Sequence, residues 1–131
     1  MAGRICSLNN LLIDESEFPR LSMVDLQRYA RHISLPSVGH AGQEKISQSK
    51  VLVIGAGGLG SPVILYLAAA GVGKIGIIDD DNIELSNLQR QVIHAESKLG
   101  QSKAESAKNR VLELNPTIKV EFWNQRLTPD N

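Results

Sequence analysis

The most informative segment of the sequence is Val51-Leu52-Val53-Ile54-Gly55-Ala56-Gly57-Gly58-Leu59-Gly60. Its first four residues form an apolar, mostly β-branched run, which is typical of a buried strand. The glycines that follow match the pattern G-x-G-x-x-G, which permits a tight turn and a close approach of the backbone to a phosphate. The candidate phosphate-binding residues of this turn are Gly55, Gly57, Gly58 and Gly60.

Strands and helices alternate on the C-terminal side of this turn. Pro62 suits the first turn of a helix, and Gly71 is suited to end it. Hydrophobic periodicity predicts the remaining elements: a helix over 63–70, a strand over 75–78, a helix over 102–114 and a strand over 118–123. The order β-α-β-α-β predicts an α/β fold, a Rossmann-like doubly wound parallel sheet.

Shorter helices are expected before the first strand. Ser22 and Asp25 have the spacing of a capping box, which predicts a helix over 23–33, and a second helix is expected over 39–47. The chain is expected to divide into a polar, flexible leader, a helical segment and a Rossmann-like portion, at residues 1–21, 22–49 and 50–131. Because Thr128 and Pro129 resemble a helix start at the end of the chain, we expect the sheet to be truncated to its N-terminal half.

Composition excludes several classes of protein. The 14 basic and 14 acidic residues balance, which argues against a nucleic-acid-binding surface. Cys6 is the only cysteine, so no intrachain disulfide or cysteine zinc cluster is possible within this chain. No run is long and apolar enough for a membrane span, and the acidic leader does not resemble a signal peptide. A reducing cytoplasm is therefore the expected location.

Candidate ligands follow the second predicted strand. Asp79 comes about twenty residues after the glycine turn, where a Rossmann domain has a carboxylate that accepts hydrogen bonds from ribose hydroxyls. Asp80 and Asp81 are expected in a solvated turn, with a contribution to magnesium binding left open. A nucleoside ligand is the simplest interpretation.

Two further groups are candidates for binding phosphate. The segment Ser86-Asn87-Leu88-Gln89-Arg90 combines neutral and cationic side chains near the carboxyl edge of the sheet, although it also fits an ordinary capped helix. Lys103 is expected to begin the next helix, where the helix dipole disfavours a cation unless an anion is nearby. A phosphate ligand and a merely solvated lysine both remain open for Lys103.

Four motifs in this order resemble those of the E1-like superfamily of activating enzymes. They are Arg28-Tyr29-Ala30-Arg31-His32-Ile33, the glycine turn 55–60, the segment 86–90 and Gly100-Gln101-Ser102-Lys103. Within that superfamily the sequence is most similar to the molybdopterin-synthase and thiamine sulfur-carrier adenylyltransferases. The similarity extends from about Leu26 to the end of the chain, and the leader lies outside it.

The resemblance implies ATP and Mg²⁺ as ligands and a ubiquitin-like sulfur-carrier protein as the partner. The terminal carboxylate of the carrier would attack the α-phosphate and release pyrophosphate. By matching motif, Asp79 would bind the ribose, while Asn87, Arg90 and Lys103 would bind the triphosphate. Arg31 would reach the ATP of the partner subunit in a homodimer, as an arginine finger. The resemblance thus implies catalytic roles for Arg31, Arg90 and Lys103.

The sequence also departs from the family pattern. His32 stands where relatives often have glutamine, and zinc is expected only in a C-terminal part that follows Asn131. His40 and His94 are expected at the surface or in packing roles.

A non-catalytic nucleotide-binding or dimerisation module remains an alternative function, as does an NAD-dependent oxidoreductase domain. The glycine turn and Asp79 suit either of them.

Overall fold

The computed structural model describes residues 21–131, so the predicted leader, apart from Leu21, lies outside the described residues. The helices and strands of the described part are α1 (Met23–Arg28), α2 (Ala30–Ile33), α3 (Gly39–Gln48), β1 (Lys50–Ile54), α4 (Gly60–Ala70), β2 (Lys74–Ile78), α5 (Lys103–Leu114) and β3 (Lys119–Trp123). Two short 3-10 turns, Leu85–Asn87 and Glu96–Lys98, lie between β2 and α5. No helix in residues 21–131 is both long and apolar enough to cross a membrane.

The three strands form one parallel sheet in the order β1-β2-β3. β2 lies in the centre, where Ile77 is paired with Val53 on one side and with Phe122 on the other. Parallel neighbours require crossover connections, and α4 and α5 are those crossovers. The predicted α/β fold with a parallel sheet is therefore confirmed.

Helices α4 and α5 pack against one face of this sheet. The core is apolar and combines residues of β1 and β2, of the two helices and of the segments that connect these elements: Val53, Ala56, Ile64, Ala68, Val72, Ile75, Ile77, Ile93, Ala104, Ala107, Val111 and Ile118. On the opposite face, Leu52 and Ile54 of β1 are 52% and 63% exposed. Successive strand residues point to opposite faces, so Val53 is buried under the helices while Leu52 and Ile54 are exposed. One face of the sheet is therefore packed and the other is open.

The N-terminal segment is bonded to the far ends of α4 and α5. Asn115, which is fully buried, donates from Nδ2 to the Tyr29 hydroxyl at 2.7 Å and to the Ala68 carbonyl at 3.0 Å. Gln43, also fully buried, donates from Nε2 to the carbonyl of Ala70 at 2.9 Å. The Gln43 bond satisfies the Ala70 carbonyl at the C-terminus of α4, and the Asn115 bond adds a second donor to the Ala68 carbonyl, which also accepts from the Gly71 N–H.

The predicted capping box is confirmed, but the predicted helix over 23–33 is interrupted. The side chains of Ser22 and Asp25 each accept a hydrogen bond from the other residue's backbone N–H. Tyr29 has φ −102° and ψ 15°, which separates α1 from α2. The side chain of Tyr29 is buried, and its hydroxyl accepts a hydrogen bond from Asn115. These tertiary contacts explain the break, and helix propensity, which is a local property, does not include them.

Candidate functional site

The glycine turn joins β1 to α4 at the carboxyl edge of the sheet. Gly55 has φ 92°, a left-handed value that favours glycine. A Cβ at position 60 would overlap the carbonyl oxygen of Gly55, so α4 can begin this close to β1 only with glycine there. The turn thus leads into the N-terminus of an eleven-residue helix, and such a terminus stabilises a bound anion.

Asp79 follows β2 and is hydrogen-bonded to the glycine turn. Its Oδ2 accepts from the N–H of Ala56 at 2.7 Å, and its Oδ1 accepts from the N–H of Asp81 at 2.8 Å. These bonds orient the carboxylate, while each oxygen retains a further lone pair. The carboxylate can therefore still accept hydrogen bonds from the hydroxyls of a ligand.

The segment 86–90 lies beside the turn and includes a 3-10 turn. The Oδ1 of Asn87 accepts from the N–H of Glu84 at 3.0 Å. The side chain of Arg90 lies next to Gly58, with its Cδ 3.5 Å from where a Cβ on that glycine would sit. Its Nη1 donates to the carbonyl of Ser86 at 3.3 Å. Within the segment Asn87 and Leu88 are half-buried, and Ser86, Gln89 and Arg90 are exposed.

Lys103 begins α5, as predicted, and an anion lies next to it. Its side chain is 7% exposed, and Nζ is 2.8 Å from Oδ2 of Asp81. The backbone N–H of Lys103 also donates to the carbonyl of Asp81 at 3.0 Å. Since Nζ has three donors and one is used, the ammonium can bond to a second anion without losing Asp81. A pocket at this point is lined by Asp80, Asp81, Asn82, Glu84, Asn87 and Lys103.

The three aspartates after β2 form an acidic group. Asp79, Asp80 and Asp81 offer carboxylate oxygens that lie within 4.8 Å of one another. Oxygen ligands of this kind suit Mg²⁺, which usually retains several waters and takes one or two carboxylates. The group therefore has the right chemistry for a divalent cation next to a bound phosphate.

His94 is buried next to the turn, as the expected packing role allows, but the sequence did not predict its contact with the turn. Its Nε2 is 2.8 Å from the carbonyl oxygen of Ala56, and its Nδ1 is 3.0 Å from the Ser106 hydroxyl. Burial lowers the pKa of His94, and the nearby Lys103 lowers it further; the Ala56 bond and Asp79 act in the opposite direction. The imidazole is therefore neutral near pH 7.

Gln91 is the second residue of the site that sequence reasoning missed. It is 3% exposed, and its Nε2 lies 3.6 Å from where a Cβ on Gly57 would sit. Its Oε1 has no hydrogen-bond partner among the described residues. A buried acceptor of this kind costs about 1–3 kcal/mol when it is unsatisfied. The only signal in the sequence was its position next to Arg90.

Arg31 is not part of this group of residues. It is exposed on α2, and the segment that carries it is bonded to the C-terminal ends of α4 and α5. The glycine turn lies at the other end of α4, which has 11 residues and is therefore about 16 Å long at 1.5 Å per residue. The structure thus separates Arg31 from the glycine turn of its own chain.

A parallel sheet, a glycine turn at its carboxyl edge, an oriented aspartate and a paired lysine define a Rossmann-type nucleotide-binding domain. A model of the ThiF family matches residues 29–131, and the chain belongs to that family. Three relatives are the probable adenylyltransferase/sulfurtransferase MoeZ of Mycobacterium tuberculosis, the probable molybdopterin-synthase adenylyltransferase of Porphyra purpurea and the sulfur carrier protein adenylyltransferase of Thermus thermophilus, at 52%, 50% and 46% identity. The matches cover 85%, 84% and 86% of this chain but only 28%, 29% and 41% of those proteins.

Solved structures agree with the family assignment. PaaA has a TM-score of 0.80 at 38% identity, over 92% of this chain and 40% of that one. The Escherichia coli tRNA N6-threonylcarbamoyladenosine dehydratase TcdA, solved in complex with ATP, has a TM-score of 0.78 at 31% identity, over 84% of this chain and 44% of that one. The chain is therefore similar to less than half of each of these proteins.

Proposed function

We propose that this chain supplies the nucleotide-binding half of an ATP-dependent adenylyltransferase that activates the terminal carboxylate of a ubiquitin-like sulfur-carrier protein. The observation that carries this proposal is the position of Lys103, a buried ammonium with free donors, beside Asn87 and the acidic group at the carboxyl edge. A dinucleotide oxidoreductase has no need for such a cation. The names of the three relatives support the same activity.

Each residue of the site has a distinct task in this proposal. The backbone of the glycine turn receives phosphate oxygens, and Asp79 accepts from the ribose hydroxyls. Asn87, Arg90 and Lys103 bind the triphosphate. A carrier carboxylate oxygen attacks the α-phosphorus while the bond to the β-phosphate bridging oxygen breaks, so pyrophosphate leaves and an acyl-adenylate forms. Because charge develops on the phosphate oxygens, fixed cations lower the barrier.

Mg²⁺ is proposed as the divalent cation of this reaction. It would neutralise part of the triphosphate charge, and Asp80 or Asp81 would provide its protein ligand. Lys103 and Asp81 share one hydrogen bond, so the pair brings a cation and a metal ligand to the same part of the site. No general base is needed, since the carrier carboxylate is already ionised at neutral pH.

A homodimer is proposed to complete each site. Arg31 is exposed and belongs to a segment bonded at the opposite end of α4 from the glycine turn, so it is poorly placed to serve the nucleotide of its own chain. An arginine finger from the partner subunit is consistent with this separation. The cytoplasm, a reducing compartment, is proposed as the location because the one cysteine leaves no possible intrachain disulfide within this chain.

Isothermal titration of the purified chain tests the proposed function. We expect the chain to bind MgATP in preference to NAD, and Arg90→Ala and Lys103→Met each to weaken MgATP binding about 10- to 100-fold, the effect of one charge-assisted hydrogen bond. Arg110→Ala is the matched control, because Arg110 is an exposed arginine of α5 whose one ion-pair partner within residues 21–131 is Glu113. Preference for NAD would favour the oxidoreductase alternative, and equal affinity of all variants would overturn the phosphate assignments.

Turnover separates an enzyme from a non-catalytic module. Pyrophosphate-ATP exchange that depends on an added sulfur-carrier protein would support adenylylation, and Arg31→Ala should reduce it. In a mixture of Arg31→Ala and Lys103→Met chains, some dimers regain one complete site, so activity should recover. Binding of MgATP without any exchange would favour the non-catalytic module instead.

A further inference from the structure

Both backbone polar groups of Ala56, in the middle of the glycine turn, are bonded to side chains. Its N–H donates to Asp79 at 2.7 Å, and its carbonyl lies 2.8 Å from Nε2 of His94. A carbonyl oxygen can only accept, so Nε2 of His94 must carry the proton. Nδ1 of the neutral ring is then an acceptor, and the hydroxyl of Ser106 donates to it at 3.0 Å.

This arrangement determines the direction of the next backbone N–H. The peptide bond between Ala56 and Gly57 is trans, so the carbonyl of residue 56 and the N–H of residue 57 point in opposite directions. The carbonyl faces the imidazole of His94, which is 8% exposed and lies beneath the turn. The N–H of Gly57 therefore faces away from His94, and it makes no backbone hydrogen bond within residues 21–131.

We propose that His94 is a positioning residue, which turns the Ala56–Gly57 peptide so that the Gly57 N–H is directed at a bound phosphate. This inference rests on the proposed nucleotide function and assigns one specific donor of the turn to it. If the peptide turned over, the carbonyl oxygen of Ala56 would face the phosphate and repel it. The hydrogen bond from His94 opposes that rotation, since the carbonyl would lose its buried donor.

His94 also connects the turn to the helix that carries Lys103. Ser106 is 4% exposed and lies one turn beyond Lys103 on the same side of α5. The path Ala56, His94, Ser106 therefore joins two phosphate-binding parts of the site through two hydrogen bonds. The charged groups next to His94 are Lys103 on α5 and Asp79 after β2.

Nitrogen-15 NMR of the nucleotide-free chain tests the hydrogen-bond geometry directly. We expect His94 to be neutral at pH 7 with the proton on Nε2, and Ser106→Ala to perturb the Nδ1 resonance. This readout is independent of nucleotide binding. A proton on Nδ1, or a ring that samples both tautomers as free histidine does, would overturn the proposal.

Affinity measurements with matched variants test the effect on phosphate binding. His94→Gln retains an N–H donor close to the Nε2 position, whereas His94→Leu removes it. We expect His94→Leu to weaken MgATP binding about five- to tenfold and His94→Gln to restore most of that loss. Affinity for adenosine, which has no phosphate, should change little. His40→Leu is the control, because the side chain of His40 is 54% exposed.

The outcomes separate this proposal from the proposed function. If the wild-type chain does not bind MgATP, the proposed function fails and the phosphate role of His94 fails with it. If the wild-type chain binds MgATP but His94→Leu binds it equally well, only the positioning role is overturned. Equal weakening of MgATP and adenosine by His94→Leu would indicate a general structural role and would also overturn it.

Discussion

The ammonium nitrogen of Lys103 lies 2.8 Å from a carboxylate oxygen of Asp81, and the two side chains differ sharply in exposure, at 7% and 66%. A nearly buried cation at the first position of a helix is opposed by desolvation and by the helix dipole. The negative charge of Asp81, the more exposed of the two side chains, offsets both effects. The pair therefore stabilises a cation in a position from which it can also contact a ligand.

Asp81→Asn is expected to destabilise the chain more than Lys103→Met does. The first change leaves a buried ammonium without its anion, while the second removes the charge and retains most of the packing of the stem. We expect Asp81→Asn to lower the free energy of unfolding by about 1–3 kcal/mol, a range that allows for the exposure of the carboxylate. Urea unfolding of both variants measures the difference. Greater destabilisation by Lys103→Met would contradict this account of the pair.

Asn115→Ala is expected to weaken the attachment of the N-terminal helices to α4 and α5. Asn115 is fully buried and bonds to Tyr29, to the Ala68 carbonyl and to Thr117. Its loss leaves the buried Tyr29 hydroxyl without this donor and the Ala68 carbonyl with only the Gly71 N–H, and it opens a buried gap, so we expect a cost of about 2–4 kcal/mol. Tyr29→Phe removes only one of these partners and should cost about 1 kcal/mol. Urea unfolding measures both values, and equal costs would contradict the central role of Asn115.

Gly60→Ala is expected to disrupt the glycine turn, because the added Cβ would overlap the Gly55 carbonyl. The turn must open or α4 must move, so we expect a loss of several kcal/mol in stability and a loss of MgATP binding. Gly42→Ala is the control, since Gly42 lies within α3 and its Cβ would meet only the Val38 side chain, at 3.1 Å. That change should be close to neutral. Tolerance of alanine at position 60 would refute the steric argument.

The stability of the chain is expected to fall on mild acidification because of His94. Burial lowers the pKa of this histidine, so below the ordinary value of about 6.5 the unfolded chain binds a proton that the folded chain does not. The free energy of unfolding should therefore decrease as pH falls from about 6.5 to the folded pKa and then level off. Above that window His94 contributes no pH dependence.

Urea unfolding at a series of pH values measures this effect as the difference between the wild type and His94→Gln. The difference should change with pH only below about 6.5, because glutamine does not titrate. A difference curve that is flat through the acidic range would contradict the lowered pKa of His94.

Much of the fold could be predicted because its signals are local. The apolar strands, the glycine turn and the capping box at Ser22 all depend on short stretches of chain, and the strand boundaries agree with the structure to within a few residues. The helix predicted over 23–33 was interrupted at Tyr29, whose buried hydroxyl bonds to a residue 86 positions away. No local pattern contains that contact.

The residues of the candidate site were likewise predicted only in part. Gly55 and Asp79 were predicted from motif spacing, because a parallel sheet brings the ends of its strands to one edge. The role of Lys103 was left open by the helix-dipole argument and was implied by the family resemblance. His94 and Gln91 were missed because their roles depend on contacts with the turn across 38 and 34 positions of sequence. For Lys103 the sequence indicated only that an anion should lie nearby; the structure identifies that anion as Asp81.

By itself the sequence determined the order of strands and helices, the parallel sheet and the edge at which a nucleotide would bind. These features follow from residue periodicity and from the backbone freedom of glycine, which are properties of short segments. Only the tertiary structure decided the hydrogen-bond partners of Ala56 and the separation of Arg31 from its own glycine turn. Such relationships depend on how buried polar groups from distant segments satisfy one another, and that is settled only when the core is packed.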